Sequence, residues 1–261
     1  MFEGINHEVF PRNKRLQMDK KRNSVEFKIT GRYAMFADPI TRVGGEKFTY
    51  QVPTYQAIKG ILESVYWKPT FIWYIDKVRV NNKIQTESKG VKPIKMHGGN
   101  DLSFYTYLRD VEYQVLAHFE WNKQRKDLDA DRNENKHHNI AKRCIEKGGR
   151  RDVFLGTREC QGYVEPCTFG DSNGFYDKYG EIDFGVQFHG YDYPDESGID
   201  ELAVRLWRAK MNDGVIEYPL PDKCDPALRR IIRTMKAKEF QIDRNFSLVN
   251  EDMNLVDLLK E

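Results

Sequence analysis

The hydrophobic residues near the start of the chain follow first the spacing of a strand and then the spacing of a helix. Val25, Phe27 and Ile29 alternate with polar residues, which is typical of a strand with one buried face. A helix is predicted between Thr54 and Pro69. The apolar residues that recur there at helical spacing are Ala57, Ile58, Ile61, Leu62 and Val65.

The following segments predict two more strands, a second helix and a further strand. Residues 70–80 are rich in aromatic and branched side chains and predict a strand, whereas the polar residues 81–100 predict a long loop. Strong alternation of apolar residues over 111–121 predicts a long strand, and residues 152–164 predict another. The helix between them ends at two glycines. Its apolar stripe consists of Ile140, Ala141, Cys144 and Ile145.

The predicted order is therefore strand, helix, strand, strand, helix, strand. This order is the split βαβ arrangement of the ferredoxin-like, or RRM-like, α+β class. Two helices would pack on one face of a four-stranded antiparallel sheet. Because this class hosts both RNA-binding proteins and enzymes, the fold does not decide the function by itself.

The rest of the chain predicts a small antiparallel β domain. Residues 166–185 predict a loop, and a short strand is expected over residues 186–191. Asp213-Gly214 lies between two apolar runs, which is a strong hairpin signal. The predicted division is a basic N-terminal extension (1–23), a ferredoxin-like domain (24–168), a small C-terminal β domain (169–220) and a tail (221–261) with little helix.

Composition limits the class of protein. The 261 residues are 39% hydrophobic, which is enough for a core, and no run approaches the ~20 apolar residues of a membrane span. We find no secretory signal. The four cysteines match no common zinc spacing, so we expect them to be reduced and the protein to be cytoplasmic.

The net charge is only +2, but the chain contains two basic regions. Residues 122–151 contain ten Lys and Arg against five Asp and Glu, and residues 1–23 contain six against three. Such patches suit a polyanion, although a solvated protein face explains the charge alone equally well.

The segment from Asp131 to Asn139 carries the candidate chemistry. His137 precedes the apolar stripe of the second helix by one turn, so it is expected to project inward, next to Lys136. Tyr66 continues the buried face of the first helix at its end. From the residues alone, a solvated basic helix start and an aromatic core residue are the simpler interpretation.

The chemical alternative is cleavage of RNA without a metal. No residue set indicates a metal site, a phosphate-binding glycine loop or a serine nucleophile. RNA carries its own nucleophile, the 2′-hydroxyl. A protein then needs a group that transfers protons, for which His is suited, and a fixed positive charge such as Lys. Tyr donates a hydrogen bond, or acts as a base only where a nearby cation lowers its pKa.

A resemblance adds to this interpretation. The chain, from about Ser24 to Tyr218, closely resembles the subtype I-C (Dvulg-type) CRISPR-associated precursor-crRNA endoribonucleases, the Cas5d/Cas5c family of the RAMP superfamily. The stretches that carry the resemblance are YQVPTYQAIKGILESVYWKP, ESKGVKPI, YTYLRDVEYQVLAHFEWN, DRNENKHH, KGGRRDVFLGTRECQGYVEPC, HGYDYPDES and LAVRLW.

The resemblance implies a function and a set of residues. It implies cleavage of CRISPR repeat RNA without metal, leaving a 2′,3′-cyclic phosphate, after which the enzyme stays on the 5′ handle as a subunit of the interference complex. It assigns catalysis to Tyr66, Lys136 and His137, with no cofactor. The resemblance and the two basic regions together give the residues expected to bind RNA, which are Arg132, Lys147, Gly148, Gly149, Arg150, Arg151, Lys68, Lys20, Lys21 and Arg22. The last three precede the stretch that carries the resemblance.

Two functions stay open. The first is the endoribonuclease. The second is a non-catalytic RNA-binding subunit of a CRISPR complex, as in other branches of the same superfamily. The intact set of Tyr66, Lys136 and His137 favours the enzyme. His138 is an additional imidazole that can be mistaken for the catalytic one.

Overall fold

The computed structural model describes residues 21–39, 41 and 45–238. The strands are β1 (Val25–Ala34), β2 (Phe71–Val80), β3 (Thr86–Val91), β4 (Ser103–Trp121), β5 (Val153–Phe154), β6 (Gln161–Pro166), β7 (Glu181–Asp192), β8 (Glu201–Asn212), β9 (Val215–Glu217) and β10 (Arg229–Thr234). The helices are α1 (Tyr55–Val65), α2 (Glu134–Glu146) and α3 (Pro194–Ser197), with 3-10 turns at Lys126–Asp131, Pro221–Lys223 and Pro226–Leu228.

These elements form a mixed α/β structure around one large, mostly antiparallel sheet. Its strand order is β10-β8-β9-β2-β4-β1-β6-β5, with β3 attached to β4 and β7 attached to β8. The long strand β4 lies between β1 and β2, where Phe27 is opposite Val115 and Trp73 is opposite Phe119. The sheet runs on into the C-terminal part of the chain, because β9 pairs with β2.

The two longer helices begin and end at residues suited to these positions. The Thr54 side chain accepts a hydrogen bond from the backbone N–H of Ala57 at the start of α1, and Asn133 does the same for Lys136 at the start of α2. At the end of α2, the N–H of Gly149 donates to the carbonyl of Cys144. The Asn133 cap fixes the start of α2, where His137 lies.

The core lies between the sheet and the helices α1 and α2. Its fully buried members include Phe27, Ile58, Leu62, Trp73 and Val115. Each such side chain contributes roughly 1.5–3 kcal/mol relative to an exposed position. Within the described part of the chain, no helix is long and apolar enough to cross a membrane.

Several elements differ from the sequence-based prediction. The predicted loop over residues 81–100 contains β3. All of its side chains are at least partly exposed, so its sequence shows no alternation of apolar and polar residues. The single strand predicted over residues 152–164 is two strands, separated by a turn. At Gly156 in that turn, φ is +99° and an added Cβ would lie 1.9 Å from the Met35 carbonyl oxygen, so only glycine fits.

The C-terminal elements also depart from the prediction. The strand expected over residues 186–191 is the twelve-residue β7, and the hairpin between β8 and β9 is confirmed. Strand β10 lies where a tail with little helix was predicted. It pairs with β8 but leaves Ile231 and Ile232 exposed, so its sequence carries no burial pattern. The end of the tail lies outside the described residues.

Candidate active site

Tyr66 and His137 meet at the facing ends of α1 and α2. The Tyr66 hydroxyl oxygen lies 2.7 Å from Nδ1 of His137, although the two residues are 71 positions apart in the sequence. Tyr66 is 1% exposed and His137 is fully buried. The inward direction predicted for His137 is thus confirmed.

The backbone around Tyr66 is held on both sides. Helix α1 ends at Val65, and Tyr66 adopts an extended conformation while its N–H donates to the carbonyl of Leu62. Its own carbonyl accepts a hydrogen bond from the indole N–H of Trp73, at 2.8 Å. The first helix and the second strand therefore fix the position from which the phenol ring reaches His137.

The imidazole of His137 is enclosed by aromatic rings. The ring centroids of Phe71, Phe119 and Trp121 lie 5.3, 6.4 and 5.8 Å from that of His137, all in edge-on arrangements. Burial raises the pKa of Tyr66 to about 12, and the nearby Asp131 carboxylate adds to this increase. At neutral pH Tyr66 is therefore a phenol, which donates a hydrogen bond.

Lys136 lies at the surface beside this buried pair. Its Nζ donates to a carboxylate oxygen of Asp131 at 2.6 Å, and the Thr70 hydroxyl donates to the other oxygen at 2.9 Å. These two hydrogen bonds, Lys136 first, hold the pKa of Asp131 below its usual range. Half of the Lys136 side chain is exposed, so its ammonium group can also meet an anion from solution.

The glycine loop from Lys147 to Arg151 borders the same site. The N–H of Arg150 donates to the Val65 carbonyl at 3.2 Å, which ties the loop to the end of α1. The guanidinium of Arg150 lies 6.0 Å from the centroid of the Tyr66 ring. Lys147, Gly148, Arg150 and Arg151 are exposed.

The other predicted RNA-binding cations are dispersed. Arg132 donates to the Asn122 carbonyl and forms an ion pair with Asp129, so it stabilises the conformation of the segment before α2. Lys68 is exposed on the turn that follows Tyr66. Their RNA-binding role stays a prediction.

The described part of the N-terminal extension lies against β4 and α2. Lys21 donates to Nε2 of His118 at 2.7 Å and to Glu120 at 2.6 Å. Arg22 contacts Glu134 and Asn135 in the first turn of α2. The predicted contact residue Lys20 lies outside the described residues.

A comparison with known families decides the relationship of this chain. A family model described as CRISPR-associated protein (Cas_Cas5) matches residues 24–219, which is three quarters of the sequence. The chain belongs to the Cas5d family of CRISPR-associated proteins.

Individual relatives agree with this assignment. Two proteins named CRISPR pre-crRNA endoribonuclease Cas5d are each 28% identical to this chain. The one from Mannheimia succiniciproducens aligns over 76% of this chain and 95% of its own length, and the one from Thermus thermophilus over 75% and 91%. A crystal structure of a CRISPR-associated protein superposes with a TM-score of 0.68 at 37% identity, covering 79% of this chain and 96% of that one.

In this Cas5d family member, sequence reasoning selected Tyr66, Lys136 and His137 and missed the residues between them. Asp131 joins Lys136 to His137 and also accepts a hydrogen bond from Thr70, and neither Asp131 nor Thr70 stands out from its sequence neighbours. His138 points elsewhere, because its Nε2–H donates to the Ser24 carbonyl at 3.0 Å.

Proposed function

We propose that this protein is a metal-independent endoribonuclease that cleaves CRISPR repeat RNA within precursor crRNA. The observation that carries the proposal is the 2.7 Å contact between Tyr66 and His137, with Lys136 at the adjacent surface. The names of the relatives in the Cas5d family support the same substrate.

The proposed reaction is an internal transfer within the RNA. The 2′-oxygen forms a bond to the adjacent phosphorus, the bond from phosphorus to the 5′-oxygen breaks, and a 2′,3′-cyclic phosphate is left. One group takes the proton of the 2′-hydroxyl, and another gives a proton to the departing 5′-oxygen. His137 is suited to proton transfer, Lys136 stabilises the charge of the phosphorane, and Tyr66 donates a hydrogen bond.

Access to the site requires a movement. Tyr66 and His137 are buried in this conformation, so the scissile phosphate reaches them only after the surface above them opens. A cavity of about 420 Å³ lies next to the rings around His137, since Phe119 and Trp121 line it together with Lys21 and Arg22. We infer that RNA enters from this side and meets the half-exposed side chain of Lys136.

The basic residues around the site form the proposed RNA-binding surface. It comprises Arg132, Lys147, Gly148, Gly149, Arg150, Arg151, Lys68, Lys21 and Arg22, and we propose that Lys20, which lies outside the described residues, also binds RNA. We propose that this surface retains the 5′ handle after cleavage, so that the protein remains in the type I-C interference complex with the other subunits. Since its substrate is a transcript, we propose that it acts in the cytoplasm.

We further propose a ferredoxin-like arrangement for the N-terminal part, residues 24–168. The strand order β2-β4-β1-β6, with antiparallel neighbours and the crossover helices α1 and α2, supports it. Residues 169–220 would then be a small β domain that extends the same sheet.

The alternative is a non-catalytic RNA-binding subunit, which the burial of Tyr66 and His137 favours. One experiment separates the two functions. Purified protein is mixed with labelled repeat RNA in EDTA, and the 3′ end of the upstream product is analysed. The proposal predicts a 2′,3′-cyclic phosphate, and no cut in RNA with a 2′-deoxy sugar just upstream of the cleavage site. Binding without cleavage, or undiminished cleavage of the deoxy RNA, would contradict it.

A further inference from the structure

Asp131 contacts three polar residues of the candidate site, His137, Lys136 and Thr70. It ends the 3-10 turn that precedes α2, two residues before the cap Asn133. Its main-chain carbonyl faces His137, and its carboxylate faces Lys136 and Thr70. Neither the sequence-based prediction nor the family comparison assigns it a role.

The main chain of Asp131 determines which nitrogen of His137 carries the proton. Nε2 of His137 lies 2.8 Å from the Asp131 carbonyl oxygen. A carbonyl can only accept a hydrogen bond, so Nε2 carries a hydrogen. In the neutral imidazole, Nδ1 then has a free lone pair, which accepts the hydrogen of the Tyr66 hydroxyl. The proton-accepting nitrogen therefore faces Tyr66.

The carboxylate of Asp131 determines where Lys136 lies. Lys136 has a long flexible side chain, half exposed, and its hydrogen bond to Asp131 fixes the ammonium group. An ammonium group has three hydrogens, so it can keep this bond while it donates to a phosphate oxygen. The second carboxylate oxygen is 3.4 Å from Nε2 of His137, so the same group lies next to both proposed catalytic residues.

We propose that Asp131 is a positioning residue of the cleavage site, which orients the His137 imidazole through its carbonyl and holds Lys136 through its carboxylate. The consequence for the reaction rests on the proposed function. The protonation of His137 is a property of the free protein, so it is tested separately from cleavage.

The first test requires no RNA. Nitrogen chemical shifts of the imidazole rings are measured in the full-length protein above pH 8, and the signals of His137 are assigned among the six histidines by comparison with His137→Asn. We expect that Nε2 of His137 carries a hydrogen and that its Nδ1 does not. Protonation at Nδ1 would overturn the orienting role, whether or not the protein cleaves RNA.

The second test compares two variants that remove the same charge from the same 3-10 turn. Asp131→Asn keeps an acceptor for Thr70 and loses the charge that holds Lys136. Asp127→Asn is the control, because Asp127 pairs with Arg125 away from the site. We expect the single-turnover rate of Asp131→Asn to fall by ~10- to 10²-fold relative to the control. The RNA affinities of the two variants should agree within a few fold.

A double-mutant cycle separates positioning from a general structural effect. If Asp131 acts through Lys136, Asp131→Asn should lower the rate no further once Lys136 is alanine. Equal rates for Asp131→Asn and Asp127→Asn, or independent losses in the cycle, would overturn the proposal. A wild-type protein that does not cleave would instead refute the proposed function, and the nitrogen shifts would still test the orientation of His137.

Discussion

At the scale of single residues, the Tyr66 side chain has one contact near in the sequence and one distant from it. The phenol ring lies beside Phe71, with centroids 5.6 Å apart, and its hydroxyl meets a fully buried imidazole. A buried hydroxyl with one partner contributes ~1 kcal/mol to stability if it is only structural. If the hydroxyl instead stabilises the transition state, its removal also lowers the cleavage rate.

Tyr66→Phe distinguishes these two roles. We expect a loss of at least ~10²-fold in the single-turnover rate, since an oriented donor at a developing charge is worth that much. Loss of one hydrogen bond should lower the melting temperature by only a few degrees. Tyr50→Phe is a control at a partly buried tyrosine, whose hydroxyl donates to Asp38 away from this site. A Tyr66→Phe rate within a few fold of wild type would mean that Tyr66 is a core residue with no role in cleavage.

The sequence correctly predicts that His137 points inward, but it does not predict the polar contacts around the site. Helical spacing places His137 on the buried face of α2, and the structure agrees. The spacing of apolar residues cannot predict the hydrogen bond from the Thr70 hydroxyl to the Asp131 carboxylate, because the two residues are 61 positions apart in the sequence. Such a pair depends on how strand β2 meets the segment before α2.

At the scale of elements, the glycine loop after α2 joins both helices of the site. Gly149 has φ of +112°, and an added Cβ would lie 3.2 Å from the Arg151 carbonyl oxygen and 3.6 Å from the Val65 Cα. A side chain there would strain the loop and shift Arg150 away from Tyr66. The loop therefore packs against the end of α1 beside Tyr66 as well as ending α2.

Gly149→Ala should destabilise the protein by at least ~1 kcal/mol and also reduce cleavage. Gly60→Ala is the matched control, because Gly60 lies within α1 and an added Cβ meets nothing within 4 Å. That variant should be stabilised by up to ~1 kcal/mol. Urea denaturation and single-turnover rates measure both effects. A Gly149→Ala protein as stable and active as wild type would exclude the proposed role of the loop.

Sequence patterns predicted elements well where one face is buried and poorly elsewhere. Strands β1, β2 and β4 and helices α1 and α2 each have a buried face, and all were predicted. Strands β3 and β10 pair at the margins of the sheet with exposed side chains, so no pattern marked them.

At the scale of the whole molecule, the basic residues around the site predict a binding mode. Lys136, Arg150 and Lys68 are exposed near the buried pair, and Lys21 and Arg22 line the adjacent cavity. Each phosphate contact releases counterions, so the affinity for single-stranded RNA should fall with a slope of roughly −0.7 per contact in log K against log salt. A titration from low to physiological salt measures this slope, and a flat line would mean that these cations are only solvated surface.

The two adjacent histidines of α2 provide the most direct measurement of the central claim. His137 faces Tyr66, whereas His138 donates to the Ser24 carbonyl. Substitution by alanine therefore removes an imidazole from the candidate site in one variant and from outside it in the other. Single-turnover cleavage of repeat RNA in EDTA is measured for both variants, together with RNA affinity and melting temperature. We predict that His137→Ala loses at least ~10²-fold in rate with little change in affinity, while His138→Ala stays within a few fold of wild type. A folded His137→Ala protein that cleaves at the wild-type rate would contradict the account.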